Sequence, residues 1–233
     1  MPEVICTGMK KAAIITGDIV HSRNIDKTYR EELIRVLKDA YPEVDRKLCG
    51  NRQGEALEFF RGDSFQARVS CPEYALRMSF IIRAKIRSMT VMKGHTARLS
   101  SIWDARIAVG YDDVSFISRN ISESDGAAFV LSGNALDGMK NKDERIRAET
   151  FDKRFNEEFR IQLLLADTIV KRWTVAQSAA AFHYLSEYEK TQTELSGMMG
   201  ITQSSFSRRM QSGNIECIHL LCQRFETLIP QLS

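Results

Sequence analysis

The sequence lacks any Cys-x-x-Cys pair. Its five cysteines, Cys6, Cys49, Cys71, Cys217 and Cys222, are odd in number and scattered. That argues against a disulfide framework and against a structural zinc site, both of which need closer or more regular spacing. Free thiols in a reducing cytoplasm are the expectation. His21, His95, His183 and His219 show no metal-ligand spacing either. No apolar run is long enough to cross a bilayer, so no membrane partner is expected. The start, Met1-Pro2-Glu3-Val4-Ile5, lacks the basic-then-apolar order of a signal peptide, and export is not expected. Internal repeats and low-complexity tracts are absent.

A strong charge excess is missing too. Net charge is +3, and from Phe151 onward the positive and negative residues cancel. Affinity for a phosphate backbone depends on clustered cations, so the overall balance gives a nucleic-acid reading little support. The local distribution gives more. From Leu195 to Ile215 there is no acidic residue, and Arg208 and Arg209 lie inside that window.

What is present is a globular composition, 43% hydrophobic and 27% charged, sufficient for a real core. Lys11–Thr16 is a short apolar run read as a buried strand. From Asp26 or Lys27 to Asp45, Tyr29, Leu33, Val36, Leu37 and Ala40 recur with helical period. Glu55–Arg61 and Ser64–Val69 are β-like runs separated by Gly62-Asp63, a hairpin signal. A second helix runs from Pro72 to about Val91, with proline near its first turn. Ile102–Tyr111 reads as a strand, Gly126–Met139 as a helix and Asp143–Phe151 as an edge strand. The first six elements form the βαββαβ, or ferredoxin-like, arrangement. After Phe151 the pattern turns wholly helical, with Asp152–Trp173 and Val175–Tyr188 amphipathic. The expected class is therefore α+β. Residues 1–150 form a ferredoxin-like domain, 151–190 connecting helices, and 191–233 a helix-turn-helix with a closing helix.

Two segments carry candidate chemistry: Thr16-Gly17-Asp18-Ile19-Val20-His21-Ser22-Arg23 and Phe60-Arg61-Gly62-Asp63-Ser64-Phe65. In a ferredoxin-like sheet the first strand lies beside the second hairpin strand, so Asp18 and Asp63 are expected to converge. Two carboxylates and a backbone carbonyl, that of Ile19, suit a hard cation such as Mg²⁺, which also takes phosphate oxygens. Arg23 and Arg61 flank the place and suit phosphate. The plainer alternative is turn chemistry for Gly62-Asp63 and solvated surface arginines.

These motifs resemble the palm domain of class III nucleotide cyclases and, more distantly, diguanylate cyclase domains. The matching residues are Asp18-Ile19 and Gly62-Asp63-Ser64-Phe65. The resemblance implies metal ligation by Asp18 and Asp63 in a nucleotide pocket. Phe59, however, stands where cyclases carry a purine-selecting lysine. Val130 and Asn134 stand where cyclases carry the asparagine and arginine that stabilise the transition state. These departures argue against cyclase activity. A broader resemblance is to the SatD family of bacterial proteins. It rests on Ile15-Thr16-Gly17-Asp18-Ile19-Val20 followed by Ser22-Arg23, on Gly62-Asp63-Ser64-Phe65-Gln66, on Arg106-Ile107-Ala108-Val109-Gly110 and on Gly126-Ala127-Ala128-Phe129. That family name implies no mechanism.

The stretch from Gln192 to Met210 resembles helix-turn-helix modules of bacterial regulators. Thr191-x-x-Glu194 is a capping box, Leu195 and Met199 a buried stripe, and Ser196 a small residue at the helix crossing. Gly200 suits a left-handed turn position and Ile201 a plug at the corner. Thr202 caps a second helix with Phe206 and Met210 inward. Gln203, Ser204, Ser207 and Arg208 would face outward, where Gln suits adenine and Arg suits guanine. Asn214–Leu228 reads as a further amphipathic helix that closes the module or a dimer interface. The leading expectation is a homodimeric regulator that binds duplex DNA and senses a nucleotide-like ligand, with Mg²⁺ as cofactor. The alternatives are a Mg²⁺-dependent nucleotidyl- or phosphoryl-transfer enzyme and a non-catalytic assembly protein.

Overall fold

A computed structural model describes residues 10–50, 54–60, 62–90, 102–116, 121 and 124–232. The first strand, β1 (Lys10–Val20), runs past the apolar run Lys11–Thr16 and takes in Gly17, Asp18 and Ile19. Pairing on both edges explains the extension. One edge meets β3 (Ser64–Val69) from Ala13↔Val69 to Asp18↔Ser64, and the other meets β4 (Asp104–Phe116) from Lys10↔Val114 to Val20↔Asp104. Ladder hydrogen bonds there supply what local propensity does not.

Between β1 and β3 lie α1 (Lys27–Leu48) and β2 (Leu57–Phe60), and α2 (Ala75–Ser88) leads into β4. Asp26 caps α1 by accepting the Thr28 N–H at 3.0 Å. The strand order β2-β3-β1-β4, antiparallel throughout, is the ferredoxin-like one. The chain is α+β, as its element pattern implied. An extension follows: after a two-residue strand β5 (Asp125–Gly126), α3 (Ala127–Asp137) carries the chain to β6 (Ile146–Thr150), which joins β4 in parallel.

The sheet is buried on both faces. Ala13, Ile15 and Ile19 point toward α1 and α2, while Ile14 meets Ala128 of α3. Ala108 meets Ala135, Leu136 and Met139 on that second face. The α3 backbone rests directly on Gly110: a Cβ there would sit 2.2 Å from the Ala128 carbonyl oxygen and 2.6 Å from the Ser132 nitrogen.

Beyond β6 come α4 (Lys153–Val170), α5 (Val175–Ser186), α6 (Gln192–Met198), α7 (Gln203–Ser212) and α8 (Ile215–Leu228). The change to all-helical elements falls where the sequence placed it, but the core does not divide there. Phe155 and Phe159 of α4 stack with ring centroids 4.3 Å apart, and Phe225 of α8 meets both edge-on. One apolar cluster runs from Ala13 and Leu33 to Phe206 and Ile229. Arg77 of α2, fully buried, donates to Glu226 at 2.5 Å and meets His219 of α8 at 3.0 Å.

Candidate functional site

The structure brings the two expected segments together at one end of the sheet. The Ile19 N–H donates to the Asp63 carbonyl at 3.0 Å, so the hairpin tip closes against β1. Gly62, with φ 86°, makes that tip possible. Each carboxylate already has its own partner. Asp18 lies on the α3 face, opposite Arg106 in the ladder, and accepts from Arg106 Nε at 2.9 Å and from its terminal nitrogen at 2.8 Å. Asp63 accepts from Ser22 Oγ at 2.7 Å, in the 3-10 turn Ser22–Asn24 that follows β1. The Ile19 side chain is buried among α1 and α2. Among the described residues no group of three or more His, Cys, Asp or Glu side chains is placed to hold a metal ion. Arg23 is exposed in the 3-10 turn, and Arg61 lies outside the described residues.

Arg106 belongs to the strand motif Arg106–Gly110, and its pattern alone implies no role. Its signal was available once the register was known, because an arginine directly across from an aspartate is a favourable cross-strand pair. The bidentate geometry is the strong form of that contact.

A cleft of about 670 Å³ opens beside this end of the sheet. His21 and Asn24, which flank Arg23, line one wall, and Arg87, Asp104, Arg145 and Lys171 line another. Its floor is an ionic network, buried at Arg83, Arg87, Asp104 and Asp167 and open to solvent at Asp143. Arg83 donates to Asp104 at 3.0 and 2.9 Å and to Asp167 at 2.8 Å. Arg87 donates to Asp104 at 2.8 Å and to the carbonyls of Lys171 and Trp173 at 2.9 and 2.8 Å. Lys171 reaches Asp167 and Asp143 at 3.1 Å each, and Arg145 lies 3.6 Å from Asp143. Four cations (Arg83, Arg87, Arg145, Lys171) thus face three carboxylates (Asp104, Asp143, Asp167), leaving one positive charge in excess.

Burial and pairing act on the individual groups in opposite senses. Burial raises the Asp104 carboxyl, but Arg83 and Arg87 outweigh it and hold the pKa below its ordinary value. Burial lowers the Arg87 guanidinium, and Asp104 does not fully offset it. The Arg87 Nε–H is buried without a hydrogen-bond partner among the described residues. Such an orphaned donor is costly and favours an acceptor brought by a ligand or water. Arg83 and Arg87 stand at i,i+4 in a largely apolar helix, and that is the sequence signal by which the network could have been found.

The second candidate surface is in the tail. Thr191 and Glu194 form the expected reciprocal capping box on α6. Gly200, at φ 63°, makes the turn, and Thr202 caps α7 by accepting the Ser205 N–H. Leu195, Phe206 and Met210 are buried, while Gln203, Ser204 and Arg208 are exposed and Ser207 is half-buried. Gln203 donates across the turn to Gln192 at 3.1 Å, which fixes its side chain at the start of α7. Trp173 Nε1 donates to the Gly213 carbonyl at 2.6 Å and ties the end of α7 to the connection between α4 and α5.

No helix among the described residues is long and apolar enough to cross a membrane. No protein-family model matches the chain, and no curated protein does. The resemblances to the SatD family and to helix-turn-helix modules therefore rest on their motifs alone. Among solved structures, a bacterial light-regulated adenylyl cyclase is similar at 13% identity and a TM-score of 0.38. The similarity covers 64% of this chain and 45% of that one, so this chain spans less than half the length of that protein. At that level the likeness carries no argument about activity.

Proposed function

We propose that the chain binds duplex DNA through a helix-turn-helix formed by α6 and α7. The observation that carries this reading is the outer face of α7. Gln203, Ser204 and Arg208 stand exposed on a capped helix, in a stretch from Leu195 to Ile215 that holds no carboxylate. A capped N-terminus directs free N–H groups and dipole toward phosphate, and Gln and Arg in the first turns suit base edges.

The test is fluorescence anisotropy of a labelled random-sequence duplex with the full chain, repeated across a salt series. Binding should weaken steeply with salt, and Arg208→Ala should weaken it about 10-fold. Undiminished binding by that variant removes α7 as the recognition helix.

A second reading belongs to the α/β half and is favoured by the cleft. The excess positive charge, the orphaned Arg87 Nε–H and the neighbouring Arg23 suit a small anionic ligand such as a nucleotide. The Asp18–Asp63 magnesium reading competes with Arg106 for both Asp18 oxygens, so the cleft is the better place for a phosphate. A thermal-shift screen of nucleotides, with and without Mg²⁺, tests this on wild type and on Arg145→Ala. Shifts of equal size in both proteins would place the ligand elsewhere.

A further inference from the structure

The helix α4 has two apolar sides. One, formed by Phe155, Phe159, Leu163, Ala166 and Val170, is buried against the body of the protein. The opposite side carries Ile161, Leu164 and Leu165, which are 64%, 38% and 63% exposed. These three belong to one stripe that also holds Arg154, Glu157 and Thr168, which recur at helical spacing, and Arg172 follows in the turn just past the helix. A helix that is apolar on its outer as well as its inner side suits a partner on the exposed one. The charges at the ends of the stripe say what the partner is. Arg154, Glu157 and Glu158, whose balance is negative, are exposed at the N-terminal end, and Arg172 is exposed in the turn just past the C-terminal end.

We infer that α4 is a homodimer interface, in which the Ile161–Leu164–Leu165 stripe of two copies packs antiparallel about a two-fold axis. Centring the axis between Leu164 and Leu165 sets Leu164 against the partner's Leu165 and Ile161 against the partner's Thr168. Glu157 then meets the partner's Arg172, twice over. A two-fold contact must be self-complementary in this way. Parallel pairing would instead set Glu157 beside the partner's Glu157 and align the two helix dipoles unfavourably. The helix is about 27 Å long, as its 18 residues rise 1.5 Å each. One helix pair of that length is a small interface, so a dissociation constant on the order of micromolar is expected. The inference does not rest on DNA binding or on the cleft. A two-fold dimer would, however, present two copies of α7 to a symmetric DNA site.

Sedimentation of the full chain without DNA, over roughly 1 to 100 μM to bracket that constant, tests the pairing. Wild type should pass from monomer to dimer, and Leu165→Glu should weaken the dimer about 100-fold. Glu157→Arg and Arg172→Glu should each weaken it, and the double variant should regain it, as charge exchange across an antiparallel pair requires. Leu220→Glu, at an exposed apolar residue of α8, should leave the dimer unchanged. A wild type that stays monomeric throughout overturns the inference. So does a dimer indifferent to Leu165→Glu, one broken by Leu220→Glu, or a double charge exchange that fails to restore association.

Discussion

Asp18 and Arg106 face each other across β1 and β4, and the Arg106 guanidinium holds both Asp18 oxygens at 2.9 and 2.8 Å. The pair is mostly shielded, with side chains 13% and 20% exposed. The guanidinium occupies the place that the acidic motif alone would give to a cation.

Removing the guanidinium should therefore expose the role of the pair. Arg106→Met leaves a shielded carboxylate without its donors and should cost about 1–3 kcal/mol in a urea melt. Asp18→Asn, which keeps the shape, should cost less. Millimolar Mg²⁺ should leave the wild-type melting temperature unchanged. A Mg²⁺-dependent rise in the wild type, lost in Asp18→Asn, would mean that a cation displaces Arg106.

The network under the cleft joins α2, β4 and α4. Asp167 accepts from Arg83 at 2.8 Å and from the Arg145 backbone N–H at 2.9 Å. Asp167→Ala leaves Arg83 buried with an unpaired nitrogen and should destabilise the protein by about 3–5 kcal/mol, read by calorimetry. Because the apolar core crosses the Phe151 boundary, wild type should unfold in one calorimetric transition. A variant ending at Phe151 should fail to give a cooperative one.

Stability should fall as the medium turns acidic, through His219. Burial and the adjacent Arg77 lower its pKa below the ordinary value, and Glu216 only partly offsets them. The Arg77 N–H donates, so Nδ1 of His219 accepts and the ring is neutral. Tyr184 and Tyr188 flank the same ring. The unfolded chain takes up a proton near pH 6.5, while the folded chain does so only at lower pH. The contribution is thus present above the unfolded value and is lost as pH falls toward the folded one. Denaturant melts of His219→Gln should show a shallower loss between about pH 7 and 5 than wild type. Equal slopes would assign the acid sensitivity to other groups.

Gly110→Ala should be among the more damaging small substitutions. Its Cβ would lie within 2.2 Å of the Ala128 carbonyl, which is backbone and cannot rotate away. A loss of about 1–3 kcal/mol, or more if α3 must lift, is expected from urea melts. Gly133→Ala, on the same helix with open space around it, should be neutral or slightly stabilising.

The α1 start at Asp26, the hairpin before Ser64 and the caps at Thr191 and Thr202 were readable because a cap or a tight turn depends on residues a few positions apart. The end of β1 was not readable: Gly17-Asp18 has weak strand propensity and is held extended by β3 and β4. The structure also changed the second helix, which opens with a 3-10 turn at Pro72–Tyr74 and ends at Ser88.

The element order, the α+β class, the turn between α6 and α7 and the meeting of the Asp18 and Asp63 segments are legible in the residues alone. Each follows from local periodicity, turn chemistry or the fixed connectivity of a βαββαβ unit. Only the tertiary structure decided that Asp18 pairs with Arg106, that three arginines of α2 are buried, and that the helical tail shares one core with the sheet. The physical reason is distance along the chain. An ion pair between Asp18 and Arg106, or a network joining Arg83 to Asp167, exists only once the strand register and helix docking have brought remote residues within hydrogen-bond reach.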